Sequence, residues 1–163
     1  MATAQKNLSS YDQEKIPSAR SMRFGIVVSD WNQEITYAMR DAAIGTLLRH
    51  GAKEENIMVT QVPGSFELPL GAKWLAEKNK NDAIICIGCV IQGETRHFEF
   101  ICQAVSQGIM QLNLSFNIPV IFGVLTTNNI IQARERAGGR HGNKGDEAAI
   151  TAIKMVALKM ETD

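Results

Sequence analysis

Ala83-Ile-Ile-Cys-Ile-Gly-Cys-Val-Ile-Gln-Gly-Glu-Thr-Arg-His97 is the stretch that decides the fold. From Ala83 to Ile91 nearly every residue is apolar and many are β-branched, which suits a central strand covered on both faces. Beyond it, Gly93 admits backbone geometry closed to other residues. Glu94 and Thr95 then lead into Phe98, Ile101, Cys102, Val105, Ile109 and Leu112, an apolar stripe at helical spacing. The reading is strand, glycine turn, helix. The first turn of such a helix directs unpaired N–H groups and a partial positive charge into the space beyond the strand's carboxyl end, where open α/β sheets bind ligands. A phosphate suits that position. His97, at the helix start, belongs to the residue type that trades protons near neutral pH. A plainer reading stands beside this one, in which Thr95 caps the helix and His97 is a surface residue.

On either side of this junction the chain repeats the same grammar. Arg23 to Ser29 reads as a first buried strand and Asp30-Trp31-Asn32 as the loop at its carboxyl end. Thr36 to His50 follows at helical spacing, with Gly51 as its C-terminal cap. Trp31 either lies flat against a planar ring at the sheet's edge or plugs the core or an interface. Ile57 to Val62 is the second strand, and Pro63-Gly64-Ser65-Phe66-Glu67-Leu68-Pro69 is a stiff turn into a helix with Leu70, Trp74 and Leu75. Glu67 either accepts hydrogen bonds from a ligand or serves the helix N-terminus. After the helix that runs to about Leu114, Ile118 to Thr126 forms a fourth strand with Pro119 at its start, and Phe122 is either core or ring-lining. A short helix over Ile130 to Ala137 is stopped by Gly138 and Gly139. Arg134 and Arg136 lie on different sides of it, so one ligand does not engage both. Gly142-Asn143-Lys144-Gly145 opens a final amphipathic helix from Asp146 to Met160; Lys144 either contacts a ligand carbonyl or is solvated.

Alternating buried strands and amphipathic helices predict an α/β protein with a parallel sheet covered on both faces. The 163 residues suit a single domain over 22–163 after a loose N-terminal segment, 1–21. Seventeen basic residues offset seventeen acidic ones, so no long-range field draws nucleic acid or an anionic membrane, and any anion site is local. No apolar run reaches membrane-span length and the N-terminus lacks a signal peptide's apolar centre, from which a cytoplasmic location is expected. Three cysteines in such a chain argue for free thiols. Cys86 and Cys89 do not read as a redox or zinc pair, because an offset of three in a strand sends them to opposite faces, and no second pair completes a zinc site. Dinucleotide-binding, Walker and nucleophile-elbow signatures are absent from the sequence. A narrow sheet with exposed edges makes self-association a fair expectation.

Five segments carry a resemblance: Gly25-Ile-Val-Val-Ser-Asp-Trp-Asn32, Val62-Pro-Gly-Ser-Phe-Glu-Leu-Pro69, Gly88-Cys-Val-Ile-Gln-Gly-Glu-Thr-Arg-His97, Pro119-Val-Ile-Phe-Gly-Val-Leu-Thr126 and Arg136-Ala-Gly-Gly-Arg-His-Gly-Asn-Lys-Gly145. In this order they resemble the 6,7-dimethyl-8-ribityllumazine synthase family over nearly all of the chain after Ser21. The resemblance implies a flavodoxin-like three-layer α/β/α sandwich with a four-stranded parallel sheet. It further implies pentamers or 60-subunit shells with active sites between subunits, and association with riboflavin synthase. The implied reaction condenses 5-amino-6-(D-ribitylamino)uracil with 3,4-dihydroxy-2-butanone 4-phosphate, releasing phosphate and water, with no cofactor and no metal. By resemblance, Trp31 stacks on the pyrimidine, and Asn32, Ser65, Phe66, Glu67, Val90 and Ile91 hold the ring and ribityl chain. Gly93, Glu94 (through its backbone N–H) and Thr95 serve the phosphate end, and His97 transfers protons. From the adjoining subunit come Phe122, Arg136 and Lys144, with Glu147 behind them. An archaeal-type riboflavin synthase and a non-catalytic flavin-binding or shell-forming protein are the competing readings.

Overall fold

In the computed structural model, residues 7–78 and 80–162 are described. Apolar, β-branched runs form the four parallel strands β1 (Phe24–Ser29), β2 (Ile57–Val62), β3 (Ala83–Ile91) and β4 (Val120–Thr127), in the order β2-β1-β3-β4, with only Val62 buried in the edge strand β2. The connecting helices are α1 (Gln33–Arg49), α2 (Leu68–Glu77) and α3 (His97–Ser115), and the chain ends in α4 (Ile130–Glu135), a hairpin of β5 (Ala137–Gly139) and β6 (Gly142–Asn143), and α5 (Lys144–Thr162). The chain leaves β1 toward β2 on one side and returns through α2 to β3 on the other. The carboxyl ends of β1 and β3 therefore diverge at a switch point, where α/β sheets open a crevice.

Strand periodicity divides the core. Phe24, Ile26, Val28, Ile85, Ile87 and Cys89 pack toward α1 and α5, whereas Val27, Ile84, Cys86, Val120 and Val124 pack toward α2 and α3. This is the three-layer sandwich expected. Cys86 and Cys89 lie in separate layers, and burial pushes both thiols up to about 12. Neither is expected to react with a water-soluble disulfide reagent at about pH 8 until the protein is unfolded, because the thiolate is the attacking species. Thiol titration before and after denaturation checks this, and rapid native labelling of either would contradict a buried β3.

Helix ends follow local chemistry. Gly51 takes φ 93° just past the end of α1, where a residue with a Cβ is strained. Asn129 caps α4 by accepting a hydrogen bond from the Gln132 amide. The short helix stops at Glu135 rather than Ala137, since Ala137 pairs with Asn143 and Gly139 with Gly142 in an antiparallel hairpin. Strands this short carry too little alternation to be read from a sequence, and α5 correspondingly begins at Lys144.

Residues 1–6 lie outside the described residues. From Asn7 onward the segment expected to be loose is laid on the domain: Leu8 is 7% exposed, Ala19 is fully buried and the Tyr11 ring tilts against His50.

Candidate active site

Three loops meet over the carboxyl ends of β1, β2 and β3. Asp30 and Trp31 extend the β1 ladder by donating backbone N–H groups to Val62 O and Pro63 O, at 2.8 and 3.1 Å. Asn32 then turns into the left-handed region with φ 63°, which Asn tolerates better than most side chains. Its Nδ2 donates to Cys89 O at 3.0 Å and so ties the loop after β1 to β3. This reversal leaves Trp31 displayed at 73% exposure. The tertiary bond thus gives Asn32 a bracing role alongside the ligand-holding role expected of it.

After β2, a 3-10 turn over Ser65–Glu67 carries the chain into α2, with Pro69 in the helix's first turn. Gly88 lets this turn approach β3, for a Cβ there would come within 2.7 Å of Ser65 Oγ. Ser65 Oγ is buried with no hydrogen-bond partner among the described residues, at a residue that lines the cleft the three loops enclose. Phe66 projects outward, and the Glu67 carboxylate has no ion-pair partner among the described residues.

After β3, Gly93 and Thr95 lead to His97, the first residue of α3, whose backbone N–H donates to Thr95 Oγ1 at 3.4 Å. Gly93 does not have the positive φ expected of it, and a Cβ there would meet nothing within 4 Å. What glycine supplies here is an uncovered backbone at the edge of the cleft. His97 is exposed.

These loops enclose a cleft of about 740 Å³, in the size range of small-molecule sites. Trp31, Asn32, Ser65, Phe66, Glu67, Val90, Ile91, Gly93, Thr95 and His97 line it, so most of the expected residues come together within one chain. Gly64, Cys89, Phe98, Phe100 and Ile101 line it as well. Sequence reasoning placed Phe98 and Ile101 in the helix's core stripe. Val105 is the first fully buried residue of that stripe, while Ile101 is partly buried against the same core and also borders the cleft. The period of three to four was visible, but which of its positions also border the cleft was not.

Glu94, Phe122, Arg136 and Lys144 do not line this cleft. Phe122 sits on the edge strand β4, opposite Cys86 in register, several residues before the strand's carboxyl end. The two neighbouring arginines are engaged differently. Arg134 grips Glu34 through both Nε and Nη2, at 2.7 and 2.9 Å, which holds the Glu34 carboxyl below its ordinary value. Arg136 donates only Nη1 to Gln132 O, at 3.0 Å, so most of its fork is uncommitted among the described residues. Lys144 pairs with Glu147 at 2.7 Å. No group of three or more His, Cys, Asp or Glu side chains able to hold a metal occurs among the described residues.

A sandwich of order β2-β1-β3-β4, with an aromatic cleft and a histidine at its switch point, defines a flavodoxin-like α/β protein with a cleft of small-molecule size. The chain belongs to the 6,7-dimethyl-8-ribityllumazine synthase family, whose model matches residues 21–160. A 6,7-dimethyl-8-ribityllumazine synthase of Cytophaga hutchinsonii is 64% identical over 157 residues, covering 96% of this chain and 98% of that protein. The synthases of Parabacteroides distasonis and Porphyromonas gingivalis are 57% and 55% identical, over 96% and 98% of this chain and 98% and 99% of their own lengths.

Proposed function

We propose that this chain condenses 5-amino-6-(D-ribitylamino)uracil with 3,4-dihydroxy-2-butanone 4-phosphate to form 6,7-dimethyl-8-ribityllumazine, releasing inorganic phosphate and water. The observation that carries the reading is the cleft at the β1/β3 switch point. It joins an aromatic platform at Trp31, a polar turn at Ser65–Glu67 and an imidazole at the start of α3. Family membership over residues 21–160 supplies the substrate class.

Each step asks little of the protein except alignment and proton movement. The pyrimidine's 5-amino group attacks the ketone and water leaves as the imine forms. Loss of phosphate and tautomerisation expose a second carbonyl, which the ribitylamino nitrogen attacks to close the ring with loss of water. In this reading Trp31 and Phe66 stack on the heterocycle, and Asn32 Oδ1, Ser65 Oγ, Glu67 and the Val90-Ile91 backbone take its polar edge and ribityl hydroxyls. Backbone N–H groups from Gly93 to Thr95, including that of Glu94, hold the phosphate end. His97 carries protons between the two substrates. Holding two reactants in register is worth up to several kcal/mol, and a placed acid–base group adds a further factor of about 10² or more.

Phe122, Arg136 and Lys144 enter this reading from a neighbouring copy, with Glu147 holding Lys144. The reading is supported by their position outside the chain's own cleft, by the open fork of Arg136, and by the exposed apolar residues Trp74, Phe100, Met110 and Leu114 on α2 and α3. A homopentamer, alone or as a 60-subunit shell, is the assembly proposed, and sedimentation should exclude a monomer. Association with riboflavin synthase fits the same chemistry, since that enzyme consumes the product. The free cysteines and the absence, among the described residues, of a helix long and apolar enough to cross a membrane fit the proposed cytoplasmic location.

Mixing the protein with both substrates should yield the fluorescent bicyclic lumazine with stoichiometric phosphate. Riboflavin formed from lumazine alone would instead indicate a riboflavin synthase. Tight flavin binding with no condensation would indicate a non-catalytic flavin-binding or shell-forming protein.

A further inference from the structure

Between Arg136 and Lys144 the chain forms a hairpin with strands of only three and two residues, with a register shift and glycines at φ 115° (Gly138) and 79° (Gly142). A two-stranded ribbon of this length does not hold its own geometry in water. Something else fixes it, and the N-terminal segment lies against it. Leu8 N–H donates to His141 O at 2.7 Å, and Ser9 Oγ accepts the Asn143 N–H at 2.9 Å. Together they act as a third strand would, with a hydroxyl standing where a strand carbonyl would stand. Asn7 and Ser9 fill the space a side chain at Gly142 would need. Leu8 anchors the segment by burying its own side chain.

The contact continues toward the functional residues. Asn143, 7% exposed, donates Nδ2 to Ala38 O on α1 at 3.2 Å and accepts the Gly145 N–H on Oδ1 at 2.8 Å. The Lys144 N–H donates to Arg136 O at 2.8 Å. Thus one buried asparagine joins the N-terminal segment, α1 and the first turn of α5, directly beside both cations.

We infer that residues 7–9 form a strap that fixes the hairpin between Arg136 and Lys144, and that Ser9 is a positioning residue for the phosphate-binding side of the reaction. This rests on the proposed role of Arg136 and adds to it a determinant remote in sequence. Without the Ser9 hydroxyl the Asn143 N–H loses its acceptor and the hairpin gains freedom, so the guanidinium spends less time aligned with its anion.

Steady-state kinetics of full-length Ser9→Ala, Leu8→Pro, Ser9→Thr and Arg136→Ala test it. Ser9→Ala, which removes one hydrogen bond, should raise the KM for the butanone phosphate about fivefold, and Leu8→Pro, which removes both the Leu8 N–H and its buried side chain, should raise it at least as much. The KM for the pyrimidine should stay near wild type in both, and the melting temperature near wild type in Ser9→Ala. Ser9→Thr, which keeps a hydroxyl, should restore the wild-type KM. If Arg136→Ala raises that KM while Ser9→Ala does not, the strap is refuted and the site stands; if Arg136→Ala is unchanged, both fail. Equal losses for both substrates that track a lower melting temperature would reduce the strap to fold stability and overturn the inference. Should Leu8→Pro fail to fold, the Ser9 pair decides.

Discussion

Replacing His97 with alanine is expected to lower kcat by about 10²-fold or more while leaving both KM values within about threefold of wild type. The imidazole lies on the first residue of α3, exposed at the cleft, and contributes no buried packing. The stacking and hydrogen-bonding surface at Trp31 and Ser65–Glu67 is built on other elements, so binding survives the substitution. Activity should not vanish, because alignment of two intrinsically reactive substrates supplies much of the acceleration without any side-chain acid or base. Steady-state and single-turnover measurements of lumazine formation separate these contributions. A His97→Ala enzyme with unchanged kcat would assign proton transfer to water or another group.

Gly145→Ala is expected to be the most damaging single methyl group in the α1–α5 layer. A Cβ at Gly145 would fall far inside van der Waals contact with the Met39 carbonyl oxygen, which belongs to the backbone of α1 and cannot rotate away. Relief requires α1 and α5 to separate, at a cost of about 3 kcal/mol. For a domain of this size that lowers the melting temperature by roughly 6–12 °C. Thermal unfolding followed by circular dichroism measures the shift. Gly45→Ala on the exposed side of α1 supplies the opposite sign. Its Cβ would meet only the flexible Arg49 side chain at 3.4 Å, so the helix should gain up to about 1 kcal/mol from the lost unfolded-state freedom. Equal effects of the two substitutions would mean that helix propensity, not the close approach of α1 and α5, governs Gly145.

What could be read from residues alone was whatever each segment's own pattern carries. β3 runs from Ala83 to Ile91 as its composition indicates, because a strand buried on both faces must be apolar at every position. Opposite facing of Cys86 and Cys89 follows from a period of two and is seen in the two core layers. Trp31, Glu67 and His97 were legible as candidates because each follows a strand's carboxyl end, where the parallel topology brings loops together.

The tertiary structure alone decided the rest. No local pattern predicts that Asn32 reaches Cys89 O, that Phe98 and Ile101 border the cleft, or that Ser9 accepts a hydrogen bond from Asn143 across 134 positions of sequence. Periodicity reports which side of an element is apolar, while partners are chosen by how elements lie against one another in space. Hydrogen bonds between distant loops leave no period behind, and here such bonds brace the loop after β1 and the hairpin between Arg136 and Lys144.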